Sequence, residues 1–278
     1  MPPLITPLKQ MIANISVITL SLFILSYVGI LLFAYIFADK MIFPYNRQPE
    51  QDPAGTIKLE SALGDSISAL YLEARDRPKQ IILYNHGNNH DLIEFLPMLE
   101  DFQANGFSIL CYDYPGYGSS SGSPSEAGVY AAADAAYKYV TQHLGYASES
   151  ITLYGCSLGS GPASWLAQRY RVGQLILEGG FTSTYRVITK IKLLPTDKFD
   201  NLARLPLIKC PVLLIHGMQD EVIPFSHALQ NLAAIRSPKD YLWLKYASHN
   251  NVVEVAGSRY WDKILNFTES TVPVRIAE

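Results

Sequence analysis

The sequence predicts an α/β protein, in which a mostly parallel sheet has helices on both faces and follows one membrane-spanning helix. Short apolar, β-branched or aromatic runs alternate with helical patterns through most of the chain, as is typical of a covered parallel sheet. Near the N-terminus, a long apolar stretch carries no charged residue. With 278 residues, 49% of them hydrophobic, the chain is long enough to bury one sizeable core.

The charge-free stretch covers residues 11–38 and exceeds the roughly 20 apolar residues that cross a bilayer. A secretory signal peptide has a shorter apolar region, about 7–15 residues, and a small-x-small cleavage site, and neither feature fits well here. A buried core helix is the other alternative, but one this long and apolar on every side is rarely buried in such a domain. We therefore predict a single-pass membrane anchor at residues 1–41 and one domain at 42–278.

The orientation of this anchor follows from two weak indications. Lys9 precedes the span, whereas Lys40 and Arg47 follow it, and an excess of positive charge favours the cytoplasmic side. The three cysteines are odd in number and irregularly spaced, so they predict free thiols rather than a disulfide framework. Free thiols are typical of a reducing compartment. Both indications favour a cytoplasmic C-terminal domain.

The strands follow a proline-bearing linker at residues 43–55. Each is a short run rich in Ile, Leu, Val or aromatic residues, such as QIILY and SILCY. Strands are predicted at residues 56–61 and 68–73, as an antiparallel pair, and then at 80–84, 108–112, 150–154, 174–178, 211–216 and 241–245. The six later strands are separated by segments long enough for parallel crossover connections.

Helical patterns fill most of the gaps between these strands. Helices are predicted at residues 92–104, 126–144, 160–170, 225–235 and 257–269. Residues 179–207 break the alternation, and we interpret them as a short cap over the carboxyl-terminal edge of the sheet.

Composition and spacing argue against several classes of function. The net charge is −3, from 22 basic and 25 acidic side chains, and no basic block suggests a nucleic-acid surface. No C-x-x-C motif or His/Cys cluster predicts a metal site. A glycine-containing run at residues 116–122 loosely matches a dinucleotide fingerprint, but its spacing is wrong and Ser123-Pro124 precedes the next helix. We interpret that run as a turn-rich loop. The sequence gives no indication of oligomeric state.

The motif Gly155-Cys156-Ser157-Leu158-Gly159 lies between a predicted strand and a predicted helix. This is the context of a nucleophile elbow, where a sharp strand-to-helix turn exposes the serine. The five-residue pattern is loose by itself, and the flanking strand and helix are what favour a catalytic role. We therefore predict that Ser157 is a nucleophile.

A serine hydroxyl becomes nucleophilic when a histidine, oriented by a carboxylate, takes its proton. Asp220 is the candidate acid, because it comes four residues after the strand at 211–216; the adjacent Glu221 is the alternative. His249 is the candidate base, four residues after the last strand. His227 also follows Asp220, but it lies inside a predicted helix and is interpreted as an ordinary helix residue.

An oxyanion hole needs two N–H groups close to the serine. One is expected from Leu158, the residue after the nucleophile. The other is expected from the loop after the strand at 80–84, where we choose the backbone N–H of Asn88. His86, in the same loop, is interpreted as structural.

Several of these segments together resemble one family. They are His86-Gly87-Asn88, residues 113–118, Gly155-Cys156-Ser157-Leu158-Gly159, Phe181-Thr182-Ser183, residues 197–200 and residues 216–224. The set resembles the α/β-hydrolase superfamily and, more narrowly, membrane-associated α/β-hydrolase-domain proteins, a branch similar to prolyl-oligopeptidase-like serine hydrolases. The resemblance covers about residues 42–267 and implies an α/β-hydrolase fold.

The resemblance also implies an activity. It implies an ester, thioester or amide hydrolase with a Ser–Asp–His triad and no cofactor, and some members of the family remove acyl chains from lipids or S-acylated proteins. This sequence departs from the family in two places. Ser248 precedes His249 where relatives usually carry Gly, and Asn88-Asn89-His90 stands where relatives often have Asn-Ala.

The sequence thus predicts a membrane-tethered serine hydrolase of carboxylic esters or thioesters, with a small-molecule or acyl-chain substrate. The short predicted cap favours a small or flexible-chain substrate over one that needs a deep lid. A prolyl-oligopeptidase-like peptidase is the alternative enzyme, although the chain has no length for the usual gating domain. A non-catalytic membrane scaffold that retains the fold is the alternative from another class.

Overall fold

The computed structural model describes residues 5–44, 52–75, 80–190, 194 and 196–269. Residues 45–51 of the predicted linker, Arg47 among them, lie outside this part of the chain. The chain divides into two compact units, Met1–Ile42 and Phe43–Glu278.

The first unit contains one long helix, α1 (Ile5–Ile42). The most apolar 18-residue window within its segment Lys9–Ile42 has a mean hydropathy of 2.5 and no buried residue. The apolar helix predicted near the N-terminus is therefore present, and its length and composition suffice to cross a membrane.

The described part of the second unit forms one sheet of eight strands. They are β1 (Ile57–Glu60), β2 (Ser66–Leu72), β3 (Ile81–Asn85), β4 (Ser108–Tyr112), β5 (Ile151–Cys156), β6 (Gln174–Glu178), β7 (Val212–Gly217) and β8 (Lys239–Leu244). Their order in the sheet is β1-β2-β4-β3-β5-β6-β7-β8. β2 pairs antiparallel with β1 and β4, and the other pairs are parallel. The predicted mostly parallel sheet with an antiparallel start is confirmed.

The helices of the second unit surround this sheet. In its described residues they are α2 (Leu92–Ala104), α3 (Glu126–Lys138), α4 (Ser160–Arg169), α5 (Thr184–Thr189), α6 (Asn201–Arg204), α7 (Phe225–Ala234), α8 (Val252–Ala256) and α9 (Ser258–Glu269). The helix predicted at 126–144 continues past Lys138 as one π-helical turn, Tyr139–His143, in which the Thr141 hydroxyl donates to the Tyr137 carbonyl. The helix α8 was not predicted, because five residues are too few to show a helical period.

The segment between β6 and β7, predicted as a short cap, has two parts. Its first helix, α5, follows Ser183, and its second, α6, is continued by a 3-10 turn at Leu205–Leu207. The side chain of Asn201 is fully buried, and its amide donates to the Ser160 hydroxyl at 2.9 Å and to the Phe181 carbonyl at 3.0 Å. The second part of the segment is therefore fastened to the start of α4.

The direction of the parallel strands determines which loops lie close together. β3, β4 and β6 are buried along their whole length, because helices cover both faces of the sheet. The carboxyl ends of β3, β4, β5, β6, β7 and β8 lie at one edge, so the six loops that follow them start there.

An aromatic cluster fills the core on one face of the sheet. Tyr84 and Tyr154 stack with ring centroids 4.7 Å apart. The fully buried Phe102 meets both rings edge-on, at 5.7 and 5.6 Å, and contacts Trp261 at 5.1 Å. One helix, α2, is thereby held to two central strands through a single side chain.

We predict that Phe102→Ala lowers the free energy of unfolding by about 3–5 kcal/mol, because it leaves a cavity among aromatic rings. Urea titration of the full chain in detergent, followed by tryptophan fluorescence, measures the loss. The exposed Leu63 supplies the control, since Leu63→Ala should stay within about 0.5 kcal/mol of the parent. Equal midpoints for the two variants would contradict the assignment of Phe102 to the core.

Candidate active site

Ser157 occupies a strained turn between β5 and α4. Its φ angle is 50°, a left-handed conformation that is uncommon for a serine and costs on the order of 1–3 kcal/mol. A 3-10 turn, Ser157–Gly159, follows at once, and α4 begins at Ser160. The strand–turn–helix context predicted for the G-x-S-x-G motif is present.

The two glycines of this motif allow the backbone to pass other backbone atoms closely. A Cβ atom on Gly155 would lie 2.5 Å from the carbonyl oxygen of Gly159, and one on Gly159 would lie 1.9 Å from that of Asn85. Both contacts are with backbone, which cannot rotate away. The motif therefore requires glycine at both positions for steric reasons.

Three residues predicted from separate loops meet at the carboxyl edge of the sheet. His249 Nε2 lies 3.0 Å from Ser157 Oγ, and His249 Nδ1 lies 2.7 Å from Asp220 Oδ2. With Nδ1 protonated, the imidazole donates to the carboxylate and accepts from the serine hydroxyl. This is the geometry that proton transfer from serine to histidine needs.

The carboxylate of Asp220 is fixed from both sides. Its Oδ1 atom accepts from the backbone N–H groups of Val222 and Ile223, at 2.9 and 2.7 Å. Its Oδ2 atom remains for His249, and the residue is buried. The adjacent alternative, Glu221, is exposed. The structure therefore favours Asp220 over Glu221 as the partner of the histidine.

His227 has a structural role in α7, as its helical position predicts. Its Nδ1 atom accepts from the backbone N–H of Thr182 at 3.2 Å, and the side chain is buried. Burial, His216 and Arg186 all lower the pKa of His227, which keeps its imidazole neutral and able to accept.

The loop after β3 lies against Ser157. A Cβ atom on Gly87 would be 3.7 Å from Ser157 Cβ. Asn88 is the next residue of this loop. Leu158, the residue after the serine, lies in the 3-10 turn and is buried. The assignment of the Asn88 and Leu158 N–H groups as oxyanion donors stays a prediction.

His86 is fully buried in the same loop, consistent with the structural interpretation. Its Nδ1 atom lies 2.6 Å from the Gly87 carbonyl oxygen, and its Nε2 atom lies 3.7 Å from Asp113. Burial lowers the pKa of His86 to about 4, so the ring is neutral at physiological pH.

Two features near His249 were not predicted from the sequence. Gly179, directly after β6, has a φ of +56°, and a Cβ atom there would lie 3.1 Å from His249 Cε1. His216, at the end of β7, lies 2.8 Å from the Ile223 carbonyl and 3.4 Å from Asp220 Oδ2. The signals available were Gly179-Gly180 directly after a predicted strand and His216 at the end of another.

A buried acid lies beside the elbow. Glu178 pairs with Cys156 in the sheet, and its Oε2 atom accepts from the hydroxyls of Tyr154 and Tyr260 at 2.5 and 2.8 Å. Burial raises the pKa of Glu178, while the two tyrosine hydrogen bonds oppose that shift.

The loop that carries His249 is stabilised by a side chain. Asn251 Oδ1 accepts from the backbone N–H of Ser248 at 2.7 Å. This hydrogen bond fixes the backbone of Ser248, the residue before His249. Among the residues that the structure describes, no group of three or more His, Cys, Asp or Glu side chains is arranged to hold a metal ion.

Comparisons with known proteins agree with this architecture. The profile of a family described as the alpha/beta hydrolase fold matches residues 80–184. The chain is 36% identical over 225 residues to alpha/beta hydrolase domain-containing protein 17B of Xenopus tropicalis, covering 78% of this chain and 76% of that protein. The human protein of the same name is 35% identical over the same length, with the same coverage.

Solved structures share the fold at lower sequence identity. The esterase Pf2001 of Pyrococcus furiosus superposes with a TM-score of 0.66 at 15% identity, covering 78% of this chain and 91% of that one. At this identity the likeness concerns the fold alone, and the predicted fold class is confirmed.

We predict that Gly179→Ala lowers the hydrolysis rate of a p-nitrophenyl ester by about 100-fold, because the new methyl group displaces His249. Gly145→Ala is the matched control, since Gly145 has a φ of +75° but a methyl group added there would meet no atom within 4 Å. Both variants should lose about 1–2 kcal/mol of stability through backbone strain. Equal rates in the two variants would show that contact with His249 is not limiting.

We also predict that His227 makes stability depend on pH. Its folded-state pKa is below the ordinary value of 6.5, so only the unfolded chain takes up a proton as the pH first falls below that value. The contribution is fully present above pH 6.5 and is lost as the pH falls through the lowered pKa. In His227→Gln, which retains an acceptor for Thr182, the loss of unfolding free energy between about pH 7.5 and about pH 5.5 should shrink.

Denaturant titrations at the two pH values measure this change. His143→Gln, at an exposed histidine, is the control and should keep the pH dependence of the parent. An unchanged dependence in His227→Gln would contradict the prediction.

Proposed function

Because the chain belongs to the α/β-hydrolase superfamily, we propose that it is a membrane-anchored serine hydrolase of carboxylic ester or thioester bonds. One observation carries the proposal: His249 contacts both Ser157, at 3.0 Å, and Asp220, at 2.7 Å. The finer placement in the membrane-associated branch, similar to prolyl-oligopeptidase-like hydrolases, is part of the same proposal.

In the proposed mechanism, Ser157 Oγ attacks the carbonyl carbon of the substrate while His249 Nε2 takes its proton. Asp220 keeps Nδ1 protonated and stabilises the imidazolium. The N–H groups of Leu158 and Asn88 bind the oxyanion of the tetrahedral intermediate. His249 then donates its proton to the leaving alkoxide or thiolate, and a water activated in the same way releases the acid from the acyl-enzyme.

Exposed apolar side chains favour an acyl substrate. Met218 and Val222, on the loop that carries Asp220, are both exposed, and so is Tyr246, three residues before His249. Apolar groups presented on the loops of a reactive site suit a hydrocarbon chain better than a polar substrate. Acyl lipids and acylated proteins are therefore the proposed substrate class.

The anchor supports the same class of substrate. A catalytic unit tethered by α1 meets membrane-partitioned acyl groups at high local concentration. The three cysteines, Cys111, Cys156 and Cys210, are free thiols. Together with Lys40 at the end of α1, they support the proposal that the catalytic unit is cytoplasmic.

We predict that Ser157→Ala abolishes labelling by a fluorophosphonate probe and lowers kcat for acyl esters and thioesters by about 1,000-fold or more. Ser164→Ala is the matched control. Ser164 lies in α4, and its buried hydroxyl has no hydrogen-bond partner in the described structure, so its removal should leave both readouts unchanged. The full chain in detergent, assayed with p-nitrophenyl esters and acyl thioesters of varied length, provides the measurement.

The outcomes separate the alternatives. Labelling that survives Ser157→Ala would remove Ser157 as the nucleophile. Cleavage of peptides but not of esters would favour a peptidase. A folded parent protein that neither labels nor hydrolyses any substrate would favour a non-catalytic scaffold.

A further inference from the structure

Three consecutive carbonyl groups of the loop beside Ser157 are each bound by a buried side chain. The Tyr114 hydroxyl donates to the His86 carbonyl at 2.5 Å, and the Tyr117 hydroxyl donates to the Asn88 carbonyl at 2.9 Å. Between them, His86 Nδ1 lies 2.6 Å from the Gly87 carbonyl. Tyr114, Tyr117 and His86 are fully buried, so these hydrogen bonds form away from competing water.

These bonds fix the direction of one particular N–H group. The N–H of Asn88 and the carbonyl of Gly87 belong to the same planar peptide unit, so holding the carbonyl orients the N–H. The peptide units on either side are held by Tyr114 and Tyr117. A donor whose direction is set before the reaction needs no reorganisation when charge develops on the substrate.

Tyr117 is itself packed by an aromatic residue from far away in the sequence. The ring of Phe43 meets that of Tyr117 edge-on, with centroids 6.4 Å apart and an interplanar angle of 79°. Phe43 is 5% exposed and also packs against Phe199 at 6.2 Å. Phe43 follows Ile42, the last residue of the apolar helix α1, with no spacer.

We propose that Tyr117 is a positioning residue for the oxyanion hole, and that Phe43 holds Tyr117 in place. The residue that directly follows the apolar helix would thus support the N–H of Asn88 through two contacts. This inference rests on the proposed function, because it assigns a role to the donor that the hydrolysis uses. It adds two residues that touch neither the substrate nor the reacting atoms.

Tyr117→Phe removes only the hydroxyl that binds the Asn88 carbonyl. Loss of a whole oxyanion donor costs about 100- to 1,000-fold in kcat. In Tyr117→Phe the N–H of Asn88 is still present but less firmly oriented, so the loss of rate should be smaller. We expect kcat to fall about 10-fold, with KM within about 2-fold of the parent. The matched control is Tyr137→Phe, at a buried tyrosine whose hydroxyl bonds to Ser148 Oγ at 2.6 Å away from the site.

A second readout distinguishes positioning from loss of structure. A trifluoromethyl ketone forms a hemiketal oxyanion with the serine, so its Ki should rise in Tyr117→Phe by about the same factor as kcat falls. Thermal unfolding of Tyr117→Phe and Tyr137→Phe should shift by similar amounts, because each loses one buried tyrosine hydrogen bond.

A double-mutant cycle tests the role of Phe43. Phe43→Ala should lower kcat by about the same factor as Tyr117→Phe does. Phe43→Tyr retains the aromatic ring, so its kcat should stay close to that of the parent. If Phe43 acts through Tyr117, the double variant should be little worse than either single variant. Fold changes that multiply would overturn this linkage.

Unchanged kcat and Ki in a folded Tyr117→Phe would overturn the positioning role. Failure of the proposed function is a separate result, because it would appear as Ser157→Ala retaining the activity of the parent. Loss of activity in Ser157→Ala together with full activity in Tyr117→Phe would therefore reject only this inference.

Discussion

The site depends on one close contact between backbones, that of Gly159 with the end of β3. Gly155 pairs with Asn85 in the sheet, so the chain must leave β5 directly beside the Asn85 carbonyl. The chain does so through the tight turn Ser157–Gly159, in which Ser157 has a left-handed conformation. The same contact brings Gly87 against Ser157, so one steric constraint sets both the serine and the neighbouring loop.

The parallel sheet brings the other site residues to Ser157, because the loops after its six parallel strands start at the same edge. Asp220 comes from the loop after β7 and His249 from the loop after β8. The buried carboxylate of Asp220 is stabilised by two backbone N–H groups as well as by His249, which offsets the cost of burying it. The strain at Ser157 persists because the surrounding elements allow it no other conformation.

The sequence predicted what depends on local patterns. The strands Ser108–Tyr112 and Gln174–Glu178 match to the residue, because a buried parallel strand is a continuous apolar run between breaks. Ser157, Asp220 and His249 could be chosen from their order and their distances after strands. The contact of Gly179 with His249 and the bond from Tyr117 to Asn88 join residues far apart in the chain, and no local pattern encodes such pairs.

The abundance of tyrosine, 18 residues in the chain, has a physical reason at this edge of the sheet. At this edge the backbone leaves the hydrogen-bonded pairing of the sheet, so buried carbonyl groups lose their strand partners. These carbonyl groups and the nearby carboxylate need hydrogen-bond donors whose side chains also fill apolar space. Buried tyrosines supply such donors: Tyr112 to Asn85, Tyr114 to His86, Tyr117 to Asn88, and both Tyr154 and Tyr260 to Glu178. Phenylalanine would fill the same volume but leave each acceptor unsatisfied, at about 1–3 kcal/mol apiece. The tyrosines therefore let one aromatic core continue up to the reactive serine without leaving its polar surroundings unpaired.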